Sequence, residues 1–185
     1  MRIKLPIIAG SLKRRSIEIK KDENLRPVMT RVRQTMFDIL FNLIDLENKR
    51  VLDVCCGSGI LGVESISRGA EMAIFMDINK NAILELKQNC TRLEIFHKSK
   101  FYTVNALTPP KGEVVDVLFI DPPYESNFLI AKILRRLFDS KWINEATIII
   151  IPMDRKFQHT LKESYNIIRS TEISSTNLMF LQKIV

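Results

Sequence analysis

The sequence predicts an α/β fold, doubly wound, with a mostly parallel sheet of seven strands, helices on both faces and an antiparallel C-terminal strand. Three observations predict it. From residue 50 onward, short apolar runs alternate with segments of helical periodicity, the pattern of βαβ units. The early runs are apolar at nearly every position, as in strands covered on both faces. The glycines and acids with chemical potential stand just after strands, where open α/β sheets bind their ligands.

The elements follow in order. In the first 25 residues, "PIIAGSLKRRSIEIK" reads as a small hairpin turning near Gly10–Ser11. Pro27 precedes a helix over about 29–45, where Val32, Met36, Ile39, Leu40 and Leu43 recur at helical spacing. Arg31 and Arg33 fall off that stripe and are expected to face solvent. "RVLDVC" is the first strand of the sheet, and "GILGVESISRG" is a short helix closed by Gly69. "MAIFMD" is the second strand, followed by a helix over 79–97 with Ala82, Leu86, Cys90 and Leu93 on one face. "FYTVN" and "VDVLFID" are the third and fourth strands, and 126–139 is a helix. "ATIIIIP" is the fifth strand; "SYNIIRST" and "NLMFLQKIV" pair about the turn "EISST".

A chain of 185 residues is expected to form one domain. Its 46% hydrophobic and 26% charged residues place it among ordinary soluble proteins. The N-terminal stretch "MRIKLPIIAGSLKRR" is not apolar over the length a secretory signal needs, and no run approaches the roughly 18 apolar residues that a membrane span requires, so a cytoplasmic location is expected. Cys55, Cys56 and Cys90 have no metal or redox spacing and read as small apolar side chains. His97 and His159 stand apart from every motif. The net charge is +7, all of it in residues 1–35, which hold ten Lys/Arg and three Asp/Glu; the remainder holds eighteen of each sign. A basic segment, residues 1–48, on a neutral core, residues 49–185, suggests an extension that binds a polyanion, against the alternative of a solvated tail.

In "LDVCCGSGILG", Gly57, Gly59 and Gly62 spell G-x-G-x-x-G at the exit of a strand, and Asp77 ends the next strand twenty residues after Gly57. Glycines allow the tight turn and close approach to a ligand, and the acid can take a ribose. A nicotinamide dinucleotide and S-adenosylmethionine both fit. Asp53, before the loop, favours the second: a carboxylate repels a pyrophosphate but attracts an ammonium or sulfonium. Asn105, with Ala106, is placed to meet an adenine, or is a plain turn residue.

The fourth strand exits through "DPPY". An exocyclic amine on a nucleobase is a weak nucleophile because its lone pair is delocalised into the ring. Acceptors for both N–H hydrogens let the nitrogen pyramidalise as the transition state forms. The Asp121 carboxylate and the Pro122 carbonyl are such acceptors. Pro122 and Pro123 fix the backbone, and Tyr124 offers a face on which a base can stack. A Pro-Pro turn without chemistry is the alternative.

Taken together, "RPVMTRVRQTMFDIL", "VLDVCCGSGILGVESISRGA", "FMDIN" and "LFIDPPY" resemble the bacterial 16S rRNA guanine-N2 methyltransferases, class I enzymes dependent on S-adenosylmethionine. The resemblance implies that Asp53, Gly57, Ser58 and Gly59 hold the methionine part of the cofactor, that Asp77 holds its ribose and that Asn105 and Ala106 meet the adenine. It implies catalysis by Asp121, Pro122 and Tyr124, with Pro123 on the base. Lys13, Arg14, Arg15, Arg26, Arg31 and Arg33 would contact ribosomal RNA. It calls for no metal, and a monomer acting on an assembling small subunit is expected. Val28, Gln34, Asn105 and Pro152 depart from the family pattern, as does "LTPPKGE" where a short helix is frequent. The readings left open are N6-adenine or N4-cytosine methylation, a nicotinamide oxidoreductase, and an RNA-binding assembly factor without activity.

Overall fold

A computed structural model describes residues 2–20, 28–121, 129–153, 164–173 and 176–184. The chain runs β1 (Arg2–Pro6), β2 (Ser16–Lys20), α1 (Thr30–Leu43), β3 (Arg50–Val54), α2 (Ile60–Ser67), β4 (Met72–Asp77), α3 (Lys80–Arg92), β5 (Ser99–Thr103), β6 (Val117–Ile120), α4 (Ile130–Asp139), β7 (Ile148–Met153), β8 (Tyr165–Ile173) and β9 (Thr176–Lys183). Strands β1 and β2 form a separate antiparallel hairpin. The other seven form one sheet in the order β5-β4-β3-β6-β7-β9-β8. Strands β3 to β7 are parallel; β9 runs antiparallel between β7 and β8.

Alternation along each strand divides the core. Val51, Phe75, Val117, Phe119 and Ile150 face one side, with Val32, Met36 and Leu40 of α1, Val63 of α2 and Leu86 of α3. Leu52, Ile74, Leu118, Ile120 and Ile151 face the other, with Ile133, Leu134 and Leu137 of α4. The sheet is therefore apolar on both faces, which is why its strands read as nearly unbroken apolar runs.

Helix α3 ends earlier than its sequence pattern suggests. Leu93 caps it, Glu94 takes a left-handed φ of 63°, and a single 3-10 turn, Phe96–Lys98, follows. Strand β5 starts at Ser99, two residues before the expected run, because Ser99 already pairs with Ala73 of β4. The "LTPPKGE" segment forms no helix. Gly112 passes so close to Trp142 that a Cβ there would lie 2.1 Å from the indole ring.

The hairpin and α1 lie along α2. Ile8 and Ala9 donate their N–H groups to the buried Glu64 carboxylate at 2.9 and 3.0 Å. Arg33 is 1% exposed, lies 4.0 Å from Glu64 and donates to the Pro6 carbonyl at 2.5 Å. One turn on, the Arg68 guanidinium rests over the Phe37 ring while its Nε donates to Glu64 at 3.0 Å. So α1 and α2 run side by side from the carboxyl edge of the parallel strands to their amino edge. Burial lowers the Arg33 pKa, with Glu64 opposing that shift and Arg68 adding to it. The expectation that Arg33 faces solvent is thereby corrected: its guanidinium holds α1 and the hairpin against α2 and is out of reach of an RNA phosphate.

Candidate active site

The site is built at the carboxyl edge, where β3, β4 and β6 lie side by side. The chain leaves β3 through a turn with three left-handed residues, Cys55 (φ 57°), Gly57 (φ 49°) and Gly59 (φ 71°). Non-glycine residues reach this region at a cost, so the glycines take two of the three positions. Backbone bonds close the turn: Cys56 N–H to the Met76 carbonyl at 3.2 Å and Gly59 N–H to the Cys56 carbonyl at 2.7 Å. Ser58 is buried in it, its Oγ 3.4 Å from the Ile60 N–H. The third glycine has another task. Gly62 lies in α2, and a Cβ there would stand 2.3 Å from the Phe75 ring, so its absence lets the helix sit close on the sheet.

The two acids that flank the turn hold it from either side. Asp53 is 1% exposed and accepts the Gly62 N–H at 3.0 Å. Asp77 accepts the Gly57 N–H at 2.8 Å with one oxygen and the Asn79 N–H at 2.8 Å with the other. A carboxylate has about four lone-pair sites, so Asp77 keeps acceptor capacity for a hydroxyl. Asn79 in turn caps α3, accepting from Asn81 and Ala82.

Asp121 follows directly on β6, its N–H 3.4 Å from the Val54 carbonyl. Burial pushes its carboxyl up to about 7. Asp53 is pushed well above the usual carboxylate range, chiefly by burial; the Gly62 N–H opposes the shift, and the charges of Asp121 and Asp77 add to it. Three acids thus share one small volume. A ligand that brings positive charge relieves this cluster, and a pyrophosphate aggravates it. The donor set fits S-adenosylmethionine and disfavours a dinucleotide.

Asn105 stands beyond β5, exposed, with its Oδ1 accepting the Leu107 N–H at 2.9 Å. It is a turn residue, and its amide nitrogen has no partner among the described residues. Ala106 is buried beside it. Sequence reasoning missed Ile78, which is 69% exposed directly after Asp77. The signal was an isoleucine standing beyond the acid that ends a buried strand. Cys55 and Cys90 are pushed up to about 12 and about 11 by burial, and Cys56 is raised as well. All three are free thiols, protonated and unreactive.

Pro122, Pro123, Tyr124 and Arg26 lie outside the described residues. The basic residues that are described do not form one group. Arg31 is exposed in the first turn of α1, at the carboxyl edge. Lys13, Arg14 and Arg15 are in the hairpin turn, which is bonded to the far end of α2: Ser11 N–H reaches the Ser67 carbonyl at 2.7 Å. Arg15 is further committed, donating to the Arg92 and Leu93 carbonyls at the end of α3.

This sheet order, with a glycine turn between two strand-end acids, is the fold of the class I methyltransferases. The yhhF protein of Escherichia coli, a methyltransferase candidate, superposes with a TM-score of 0.83 at 24% identity, over 97% of this chain and 98% of that one. An RNA methyltransferase from Salinibacter ruber, solved with S-adenosyl-L-homocysteine, superposes with a TM-score of 0.65 at 14% identity, over 84% and 92%. At these identities the likeness is one of fold. Residues 5–182 match the family described as Conserved hypothetical protein 95, and the chain belongs to that family. Several relatives carry the name ribosomal RNA small subunit methyltransferase D. That of Buchnera aphidicola (from Acyrthosiphon pisum) is 37% identical over 155 residues, 83% of this chain and 80% of the relative. That of Haemophilus influenzae is 28% identical over 171 residues, 88% and 86%.

Proposed function

We propose that this chain methylates the exocyclic N2 amine of a guanine in small-subunit ribosomal RNA. The observation that carries the reading is the convergence of Asp53, Asp77 and Asp121 at three adjoining strand ends, with the glycine turn between the first two. The names of the relatives supply the RNA.

S-adenosylmethionine supplies an electrophilic methyl group on a sulfonium. Asp53 and the turn from Gly57 to Gly59 hold its methionine part, the carboxylate meeting the ammonium. Asp77 accepts from the ribose hydroxyls while keeping Gly57 in place. Ile78 covers one face of the adenine, and the Asn105 amide and Ala106 N–H meet its edge. Asp121 and the Pro122 carbonyl accept the two N–H hydrogens of the guanine amine and turn its lone pair toward the methyl group. Tyr124 and Pro123 flank the base, which must be splayed from the RNA to arrive there. The methylated nitrogen is acidic, so its proton leaves to Asp121 or water without a strong base. Arg31 meets a phosphate at this edge, and Arg26 is assigned a phosphate as well.

The test is transfer of a labelled methyl group from S-adenosylmethionine to small-subunit rRNA, free or in subunits, with the product nucleoside identified. N2-methylguanosine is expected. N6-methyladenosine or N4-methylcytidine would replace the guanine assignment. Asp121→Ala should lower transfer by about 100-fold or more, in the range of a lost transition-state contact, and leave cofactor affinity within about threefold.

A further inference from the structure

The hairpin tip has a position that the catalytic edge does not explain. Helix α2 carries the chain from the glycine turn back to the amino edge of the sheet, about 12 Å for its eight residues. The tip, Gly10–Arg15, is fastened there. Ser11 and Leu12 donate their N–H groups to the Ser67 carbonyl and Ser67 Oγ at 2.7 and 3.0 Å, and Ser67 Oγ donates to the Ala9 carbonyl. Gly10 is pressed onto that carbonyl so closely that a Cβ would lie 1.7 Å from it. Arg15 ties the other side of the tip to the end of α3.

This anchored turn presents two charges outward. Lys13 and Arg14 are exposed, and neither side chain makes a hydrogen bond or ion pair among the described residues. Arg14 is held at φ 75°, a conformation uncommon for a residue with a side chain, by the Lys13 N–H to Gly10 carbonyl and Arg15 N–H to Leu12 carbonyl bonds. A solvated tail has no use for such fixation. A rigid pair of uncompensated cations suits the phosphates of a nucleic-acid backbone.

We propose that Lys13 and Arg14 are a second RNA anchor, at the edge of the sheet opposite the catalytic acids. It rests on the reading of the protein as an RNA methyltransferase. An RNA that occupies both edges must extend along α2. A short hairpin that carries only the target guanine fills the catalytic edge alone.

The test compares Lys13→Gln/Arg14→Gln with the wild type on two RNAs: full-length small-subunit rRNA and a short hairpin cut around the modified guanine. The double variant should raise KM for the long RNA by about tenfold, leave kcat and the KM of the short hairpin unchanged, and reduce the salt slope of binding to the long RNA by about 2. Arg31→Gln, at the catalytic edge, should raise KM for both. An equal effect of the double variant on both RNAs, or an unchanged salt slope, overturns the second anchor. A lowered Tm with unaltered RNA binding also overturns it, assigning the two cations to the negative ends of α2 and α3. If the wild type methylates no RNA, the functional reading fails by itself, while the salt slope still reports on the anchor.

Discussion

At the scale of single residues, Asp121 joins geometry to pH. Its carboxyl lies at about 7 because burial disfavours the charge, yet in the role proposed for it the group must be ionised to accept the amine hydrogens and to face a sulfonium. The kcat/KM for S-adenosylmethionine, which reports on the free enzyme, should therefore rise about tenfold per pH unit up to about 7 and level off above it. In Asp121→Asn the break near pH 7 should vanish along with most of the rate. A flat wild-type profile between about pH 5.5 and 8.5 would remove Asp121 from its assigned role. Asp53, Asp77 and Asp121 were legible in the sequence because each ends an apolar run, and an open sheet turns the ends of adjoining strands into neighbours. Arg33 was not. Its burial depends on Glu64, thirty-one positions on, and helical spacing alone leaves both looking like surface charges.

At the scale of elements, Glu64 joins the basic extension to the catalytic core. It accepts from Ile8, Ala9 and Arg68 with its side chain wholly buried, and it stands on the helix that opens at the glycine turn. Glu64→Ala would strand two backbone N–H groups and leave the Arg33 and Arg68 cations without their carboxylate. Breaking a buried pair from one side costs about 3–5 kcal/mol. Denaturant unfolding should show a loss of that size, and hydrogen exchange at Ile8 and Ala9 should accelerate well beyond exchange in β3. Undiminished protection there would mean that the Glu64 carboxylate is not what holds the hairpin. The strands and helices themselves were readable to within a few residues. The misses fell where a partner decides the boundary: β5 begins where β4 offers it a mate, and α3 stops at a left-handed Glu94 that no glycine or proline announces.

At the scale of the whole molecule, the clustered acids tie folding to protons and to cofactor. Asp53 and Asp121 hold protons in the folded protein at pH values where they would be ionised in the unfolded chain. Folding takes up protons above about pH 4, so this contribution to stability is greatest in acid and declines as pH rises, for Asp121 until about 7, by up to about 1.4 kcal/mol per unit. A cationic ligand reverses the preference. Binding of S-adenosylmethionine near pH 6 should release protons, seen as a binding enthalpy that varies with the ionisation heat of the buffer. Equal heats in two such buffers would show that the acids are already charged before the cofactor arrives. The sheet order carries a further consequence. Because β9 lies between β7 and β8, the segment made first must wait for the one made after it. On a growing chain, the strands that carry the acids can assemble while β8 still has no mate, and the sheet is completed when β8 and β9 pair as a hairpin and β9 docks on the free edge of β7.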